Sequence, residues 1–499
     1  MGIGHYLLLM VYLLALFSLF VYGINCYFLM IYYRINRPKA SHRQQALKKK
    51  FFKSLPLTGW PKVTIQLPIY NERYVAERLV LSACQIDYPK ELIEVQILDD
   101  STDDTVEIAA AVAQRMREQG FDVAHLHRKV RTGYKAGALK EALRSAKGEF
   151  IGIFDADFIP SRNFLKETIP YFVDPAVGMV QTRWGHLNCN YSMLTRAQSM
   201  GIDGHFGVEQ AARAWGGLFM NFNGTAGIWR RKAIEDGGGW QADTLTEDLD
   251  LSYRAQLKGW KLEFAPGVVC PAELPVTING FKSQQHRWAK GSIETAKKNL
   301  VKLFKAKLPL LVKIQSFLHL THYMVHPLMI IVVLTSIPML FTKWFFVSIS
   351  YPLLFFTLFC LATFGPSNMY IFSQRILYPD WRKSIKYLPF LMCLGTGISV
   401  NNTKAILEAL FGFKSGFVRT PKYGIERKED TWYGKIYSIP FSAVSLIELL
   451  LGLYSLAGLL LFLLFSKYFI SPFLFIYTAG FIYVFSLSVM HAYAQSRKS

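Results

Sequence analysis

The chain has 499 residues, 52% of them hydrophobic, and a formal net charge of +21 at pH 7. This length exceeds one ordinary domain, and the apolar fraction indicates membrane segments. Residues 34–53 contain eight Lys or Arg and no acid, directly after an apolar run. Basic residues in such positions follow the positive-inside rule and face anionic headgroups. The charge therefore favours a membrane surface over nucleic acid as the partner.

Five apolar runs are long enough to cross a hydrocarbon core of ~30 Å. They cover residues 5–33, 317–341, 344–372, 436–465 and 468–493. A cleaved signal peptide is the alternative for the first run, but no small-residue cleavage site follows it. Residues 388–400 are apolar but short, which favours an interfacial or re-entrant segment. With five spans, the positive-inside rule places the N-terminus outside and residues 34–316 in the cytosol, where free thiols are expected.

The segment after the first span shows strands that alternate with helices. β-rich runs at 63–70, 93–100 and 149–155 alternate with helical patterns at 72–84, 105–119 and 135–145. This alternation predicts a parallel α/β sheet, whose ligands bind beyond the carboxyl ends of the strands. A polar motif falls at each such end: Pro68-Ile69-Tyr70-Asn71-Glu72, Asp99-Asp100 and Asp155-Ala156-Asp157.

Asp155 and Asp157 are separated by one residue after a buried strand. In extended backbone both side chains point to one side, so their oxygens can converge on Mg²⁺ or Mn²⁺. The alternative is a turn or helix cap before Pro160, and the neighbouring acidic motifs favour the metal. For the run Asp99-Asp100-Ser101-Thr102-Asp103-Asp104, we expect the last two acids to cap a helix and the first two to face the ligand.

Two further motifs have both a structural and a chemical interpretation. Thr246-Glu247-Asp248 precedes a helical run and is typical of a helix N-terminus, but Asp248 is also a candidate base for an acceptor hydroxyl. Gly133 and Gly137 flank Lys135 in a turn that enters a helix, while Arg131 and Lys135 have the charge to neutralise a diphosphate. Spacing alone leaves both pairs of interpretations open.

The run Gln284-Gln285-His286-Arg287-Trp288 follows these motifs and precedes the second apolar run by about thirty residues. Together, the ordered motifs resemble glycosyltransferase family 2 in its membrane-embedded, processive, cellulose synthase-like branch. The strings Gly133–Leu139 and Phe222–Gly227 are most similar to the plant-type mannan and glucomannan synthases and their bacterial relatives. Ala289-Lys290-Gly291 departs from the plant pattern, which leaves the donor sugar open.

The resemblance implies a role for each motif. It implies nucleotide binding by Pro68, Tyr70, Glu72, Asp99, Asp100 and Lys135, metal binding by Asp155 and Asp157, and base catalysis by Asp248 with Glu247. It implies that Gln284, Arg287 and Trp288 hold the diphosphate and stack the acceptor sugar. It also implies a gating loop that contains Phe417, Thr420 and Lys422, in which Arg419 replaces the usual Val and Pro421 stiffens the backbone.

The implied fold is a cytosolic α/β GT-A (Rossmann-like) domain inserted in an α-helical multi-span membrane domain. The expected segments are a membrane helix (1–36), a basic linker (37–60), the GT-A domain (61–280), interfacial helices (281–315), two membrane helices (316–373), an interfacial segment with the gating loop (374–435), and two further membrane helices with a tail (436–499). The expected location is the plasma, inner or Golgi membrane.

The implied activity is inverting, processive elongation of a β-1,4-linked mannan, glucomannan or cellulose-like polymer, with translocation. GDP-mannose or UDP-glucose is the expected donor, Mg²⁺ or Mn²⁺ the cofactor, and the growing polysaccharide and the bilayer are partners, with self-association or accessory export subunits left open. Alternatives are a non-processive lipid glycosyltransferase, a synthase of a hyaluronan- or chitin-type polymer, and a transporter without chemistry. Glu448, within an apolar run, either lines the polymer path or makes an interhelical hydrogen bond.

Overall fold

The structure is a computed structural model that describes residues 3–342, 350–413, 416, 418–437, 441–468 and 470–496. The strands are β1 Val63–Ile69, β2 Ile93–Asp99, β3 Asp122–His127, β4 Phe150–Ile153, β5 Val177–His186, β6 Gly227–Arg230 and β7 Lys261–Ala272. The helices of the sheet domain are α2 Ala76–Cys84, α3 Thr105–Glu118, α4 Tyr134–Ala142, α5 Phe164–Thr168, α6 Met193–Gly204, α7 Gln210–Trp215, α8 Arg231–Asp236 and α9 Glu247–Leu257.

The remaining helices flank this domain in the sequence. They are α1 Ile3–Thr58 before it, and α10 Ile278–Lys305, α11 Leu310–Thr321, α12 Val325–Leu340, α13 Ser350–Leu377, α14 Leu388–Gly397, α15 Ser399–Phe411, α16 Val444–Leu464 and α17 Ser471–Ser496 after it. Short 3₁₀ turns and one π-helical turn, His205–Glu209 between α6 and α7, connect some of them.

Within the described residues, seven strands form one sheet in the order β3-β2-β1-β4-β6-β5-β7. β1, β2, β3 and β4 are mutually parallel, as the alternating pattern predicts. The sheet also contains a strand that the sequence patterns do not include, β6, which pairs antiparallel with both β4 and β5. This strand follows β5 through helices that bring the chain back along the sheet, so the sheet is mixed and GT-A-like. β7 then pairs parallel with β5.

The two faces of the sheet are covered by separate apolar clusters. Ile65 and Val95 belong to the cluster that includes residues of α2 and α3. Ile151 and Ile153 of β4 belong to the opposite cluster, which includes residues of α4. Because the strands are covered on both faces, they read in the sequence as nearly continuous apolar runs. Because packing on both faces holds each strand in place, the loops at the carboxyl ends of the strands begin from defined positions.

Four helical segments are long and apolar enough to cross a membrane, judged by length and composition over the described residues. They are Ile3–Thr58, Leu310–Leu340, Val444–Leu464 and Ser471–Gln495. The predicted span at 344–372 begins in residues that the structure does not describe, and α13, which starts at Ser350, is not among the four. The segment expected as a basic linker at 37–60 is helical as far as Thr58, because α1 continues through Pro38 and Pro56.

The short apolar run at 388–400 forms α14, which packs against α6 of the sheet domain and against α17. The next helix, α15, ends at Phe411 and is followed by Gly412 in the left-handed conformation. Glu448 of α16 is fully buried, and its Oε2 lies 2.7 Å from Lys282 Nζ of α10. Of the two interpretations of Glu448, the geometry therefore supports a polar contact between helices. Ser445 and Ser488 also accept from Lys282 Nζ, at 3.2 and 2.8 Å.

Candidate active site

One cavity lies at the carboxyl ends of β1, β2 and β4 and is closed on the opposite side by α10 and by residues 419–422. It brings together almost all residues that the sequence singles out. Those lining it are Pro68, Tyr70, Glu72, Asp100, Lys135, Asp155, Asp157, Glu247, Asp248, Gln284, Arg287, Trp288, Thr420 and Lys422. Phe417 lies outside the described residues, and Asp99 does not line the cavity.

Asp99 and Asp100 point in opposite directions because they are consecutive at the end of a strand. Asp99 is fully buried, where its Oδ2 lies 2.8 Å from His125 Nε2 of β3 and its Oδ1 accepts from the Ser101 backbone N–H at 2.8 Å. We expected both carboxylates to face the ligand, but only Asp100 lines the cavity. Asp99 is occupied within the fold, and only Asp100 reaches the cavity.

The helix after this pair is capped differently from the prediction. Asp103 Oδ1 accepts from the Thr105 backbone N–H at 3.0 Å, as a capping carboxylate does. Asp104 makes no side-chain cap bond and pairs with Arg73 at 2.7 Å. The capping prediction is correct for the first acid and wrong for the second.

The cavity wall near Tyr70 is flat and cationic. The guanidinium of Arg131 lies 3.5 Å from the centroid of the Tyr70 ring. Asp100 accepts from Arg128 Nε and Nη2 at 2.7 and 2.6 Å, a bidentate pair that fixes the aspartate. Burial lowers the pKa of Arg131 from its ordinary value. A planar cation on an aromatic ring, next to a fixed carboxylate, is suited to a flat polar ligand such as a nucleobase or ribose.

Asp155 and Asp157 lie beyond the end of β4, in a turn rather than in the extended backbone that the sequence predicts. Both still face the cavity, and each is paired with a lysine. Lys135 Nζ lies 2.5 Å from Asp155 Oδ1, and Lys422 Nζ lies 2.8 Å from Asp157 Oδ1 and 2.9 Å from Glu72 Oε1. Burial raises the pKa of Asp157. The carboxylates thus form a site that attracts cations.

Glu247 and Asp248 form the first turn of α9, with Thr246 in the N-cap position but without a side-chain cap bond. Asp248 Oδ1 accepts from the Leu249 backbone N–H at 2.8 Å, which leaves Oδ2 directed at Gly224. Burial, together with the charge of Glu247, raises the pKa of Asp248 to about 8. A carboxylate with a pKa near neutrality can accept a proton from a hydroxyl at physiological pH.

Gln284, Arg287 and Trp288 lie on α10, where spacings of three and four residues place them on one face. That face lines the cavity. Arg287 Nη2 donates to Thr420 Oγ1 at 3.0 Å, and Nη1 donates to the carbonyl oxygen of Val418. Burial lowers the pKa of Arg287 to about 10, which still leaves it charged at neutral pH. α10 therefore joins the cavity to the loop at 418–422.

Glu273 was missed in the sequence, although it follows β7 directly and strand ends hold the other motifs. It is 6% exposed, and its two oxygens accept from the backbone N–H groups of Tyr423 and Gly424, each at 2.9 Å. Burial raises the pKa of Glu273 to about 7. This carboxylate anchors the segment that follows Lys422 and so holds the loop over the cavity.

Trp184 and Asn223 also line the cavity and were not singled out individually. The ring of Trp184 lies 6.4 Å from that of Trp288, so two indoles flank the same space. Trp184 comes from β5, a strand that the sequence patterns above do not include. Asn223 lies in the string 222–227, whose only signal in the sequence is its similarity to the mannan and glucomannan synthases. Neither position carries a motif that would have identified it.

The sequence profile described as "Glycosyltransferase like family 2" matches residues 61–291, the region that contributes the strand ends and α10 to this cavity. The chain carries a glycosyltransferase family 2 domain. Its boundaries agree with the strands β1–β7 and the first half of α10. The match supports the expected family and the GT-A-like fold.

Curated relatives agree with this assignment. Glucomannan 4-beta-mannosyltransferase 1 of Cyamopsis tetragonoloba is 42% identical over 259 residues, which are 51% of this chain and 49% of that protein. Glucomannan 4-beta-mannosyltransferase 2 of Arabidopsis thaliana is 41% identical over 255 residues, 50% of this chain and 48% of that protein. The chain spans about half the length of the curated relatives it matches, and the similarity is therefore that of a domain.

Among solved structures, the mannosyltransferase PcManGT from Pyrobaculum calidifontis in complex with GDP-Man and Mn²⁺ is 20% identical, with a TM-score of 0.46. The alignment covers 77% of this chain and all of that one. TarS of S. aureus is 14% identical, with a TM-score of 0.38. Similarity at this level adds no argument about the activity of this chain.

Proposed function

We propose that this protein is a membrane-embedded, inverting glycosyltransferase that elongates a β-1,4-linked mannan or glucomannan from a nucleotide sugar. GDP-mannose is the preferred candidate donor, with UDP-glucose as the second. The observation that carries the proposal is the cavity itself, where a carboxylate of raised pKa, a pair of cation-binding aspartates and the Gln284–Trp288 face of α10 meet. The 42% identity to a glucomannan mannosyltransferase over the same domain supports the mannan class of product.

Asp248 is the proposed base. Its Oδ2 faces the cavity next to Gly224, where it would accept the proton of the acceptor hydroxyl as that oxygen attacks the anomeric carbon. The bond to the diphosphate breaks on the opposite side, so one displacement inverts the configuration and gives a β-linkage. A diphosphate leaves as an anion and needs no proton, which is why one carboxylate base suffices. Arg287 and Lys135 carry positive charge into the same cavity to stabilise that anion.

The aspartates fit a hard divalent cation such as Mg²⁺ or Mn²⁺. Both provide carboxylate oxygens, the ligand type these ions prefer, and both attract lysine ammonium groups in this structure. No group of three or more His, Cys, Asp or Glu suited to a metal occurs among the described residues, so the remaining ligands would be diphosphate oxygens. The cation, when bound, would neutralise charge on the leaving diphosphate. Lys422 would then have to leave Asp157.

The loop at 418–424 is proposed to gate the donor site. Its contacts reach both sides of the cavity, through Arg287 on α10 and through Glu72 and Asp157 at the strand ends. The apolar helices next to this domain support a membrane location. The proposal adds that the domain faces the cytosol and that the polymer is released into or across the bilayer. Trp288, together with Trp184, offers flat apolar faces for an acceptor sugar ring.

The test uses the full chain purified into bilayer nanodiscs with GDP-mannose or UDP-glucose and Mg²⁺ or Mn²⁺. Product is digested with linkage-specific hydrolases. The wild type should yield material that a β-1,4-mannanase degrades. Asp248→Asn should lower transfer by roughly 10²- to 10⁴-fold while donor binding persists. Asp380→Asn, at a side chain 65% exposed, is the matched control and should leave transfer unchanged.

Trp288→Ala separates elongation from nucleotide binding. Removal of the indole should abolish the extension of oligosaccharides, because the acceptor ring loses its stacking surface, while the affinity for the nucleotide stays close to that of the wild type. Extension that survives this substitution would contradict the processive mechanism. A wild type that turns over neither donor with either metal would contradict the proposed function as a whole.

A further inference from the structure

Asn223 lines the cavity and directly precedes Gly224, the residue that the carboxylate of the proposed base faces. The Gly224 carbonyl oxygen accepts from Lys135 Nζ at 2.9 Å, and a Cβ at position 224 would lie 2.9 Å from Asp248 Oδ2. An asparagine amide both donates and accepts hydrogen bonds, as a sugar hydroxyl does. Asn223 and Asp248 line the same cavity, which is where an acceptor sugar has to lie if Asp248 is the base.

The orientation of the Asn223 amide is fixed by a chain of hydrogen bonds that begins at a backbone carbonyl. The carbonyl oxygen of Asn221 accepts from Gln210 Nε2 at 2.8 Å, and because a carbonyl only accepts, the nitrogen of Gln210 must lie on that side. The same nitrogen donates to Asn223 Oδ1. The atom of Asn223 next to Gln210 is therefore the amide oxygen, and the other atom of the amide is the nitrogen.

That nitrogen meets an imidazole. Asn223 Nδ2 lies 2.9 Å from His205 Nε2, and because an amide nitrogen only donates, Nε2 must accept and the ring proton must lie on Nδ1. His205 Nδ1 lies 3.0 Å from Glu209 Oε2 and donates to it. The tautomer of His205 is thus set from both sides.

Glu209 is held as a carboxylate at the far end of the chain. Arg213 Nε donates to Glu209 Oε1 at 2.9 Å. Although burial opposes ionisation, Arg213 and His205 hold the pKa of Glu209 well below its usual range. His205 and Glu209 are the first and last residues of the π-helical turn between α6 and α7. Such turns are rare and occur frequently at functional sites.

We propose that Asn223 binds a hydroxyl group of the acceptor sugar, and that His205 and Glu209 are positioning residues that fix its amide. The inference rests on the proposed function, since it requires an acceptor sugar next to Asp248. His205 takes one amide N–H of Asn223, and no other residue in the described part of the chain is bonded to the second. That N–H donates to the sugar hydroxyl and a lone pair of Oδ1 accepts from it. The site therefore distinguishes acceptor sugars by the position of this one hydroxyl group.

The test measures transfer from GDP-mannose to β-1,4-mannotetraose by the full chain in nanodiscs, alongside hydrolysis of the donor in the absence of acceptor. Asn223→Ala should raise the KM for mannotetraose by roughly tenfold, the effect of one lost hydrogen bond. The KM for the donor and its hydrolysis should stay as in the wild type. Asn163→Ala, at an exposed asparagine far along the chain, is the matched control.

The positioning chain is tested by a pair of substitutions at one residue. His205→Leu removes the acceptor for Asn223 and should raise the KM for mannotetraose as Asn223→Ala does. His205→Gln keeps a side-chain oxygen that can accept from Asn223 and should restore most of the lost affinity. A structural role alone would make the two variants equally poor, and thermal unfolding of each variant verifies that it folds.

The outcomes separate this inference from the function on which it rests. An unchanged KM for mannotetraose in Asn223→Ala, with normal transfer by the wild type, overturns the inference and leaves the function standing. Equal losses in donor hydrolysis and in transfer overturn it as well, because Asn223 would then act on the donor. A wild type without any transfer overturns both.

Discussion

Gly224→Ala tests whether the base depends on the close approach of the backbone at residue 224. Gly224 has φ +81°, and a Cβ there would lie 2.9 Å from Asp248 Oδ2 and 3.5 Å from Lys135 Nζ. Alanine in this left-handed region costs about 1–2 kcal/mol. The added methyl group also has to displace the Asp248 carboxylate by several tenths of an ångström, because 2.9 Å is shorter than the van der Waals contact distance between carbon and oxygen.

Gly120→Ala provides a control with the same backbone penalty. Gly120 also has φ +81°, and a Cβ there would meet no atom within 4 Å. Both variants should therefore lose about 1–2 kcal/mol of stability, measured by thermal unfolding in detergent. Only Gly224→Ala should lose transfer activity, by roughly 10²-fold, because misplacement of a catalytic group has effects of that size.

The comparison refutes the reasoning in two ways. Wild-type transfer by Gly224→Ala would mean that Asp248 does not act from this position. Equal losses of transfer in both variants would mean that backbone strain, and not the displaced carboxylate, lowers the activity. Donor binding measured in parallel separates a displaced base from a displaced Lys135, because a Cβ at residue 224 would also lie 3.5 Å from Lys135 Nζ.

Two further predictions concern ionisable groups. Burial and Glu247 raise the pKa of Asp248 to about 8, and because the base must be ionised, transfer at limiting substrate should rise with pH and level off above about 8. Glu247→Gln removes the neighbouring charge and should move this rise to lower pH. A rate that stays constant between pH 6 and 8.5 would contradict the assignment of Asp248 as the base. The second prediction concerns the buried Lys282–Glu448 pair, in which Glu448→Leu alone should destabilise the protein by about 3–5 kcal/mol because it leaves the lysine charge unpaired. The double variant Lys282→Met/Glu448→Leu should recover most of that loss in thermal unfolding. Equal stability of the single and double variants would show that the two residues are not coupled.

The sequence by itself determined the chemistry of the site. Polar residues follow buried strands at Tyr70, Asp100 and Asp155, and parallel strands bring their carboxyl ends to one edge of the sheet. The spacing of Gln284, Arg287 and Trp288 places them on one helix face whatever the rest of the fold does. Both arguments use only local sequence patterns, and all six of these residues line the cavity.

The tertiary structure decided what local rules leave open. Asp99 and Asp100 are equivalent in the sequence. Only the fold shows that Asp99 turns to His125 on the neighbouring strand, while Asp100 pairs with Arg128 and lines the cavity. Glu273 holds the backbone at Tyr423, and His205 orients Asn223, across separations of 150 and 18 residues. Such pairings depend on how the chain returns along the sheet, including the antiparallel strand β6, and no periodic pattern encodes that return.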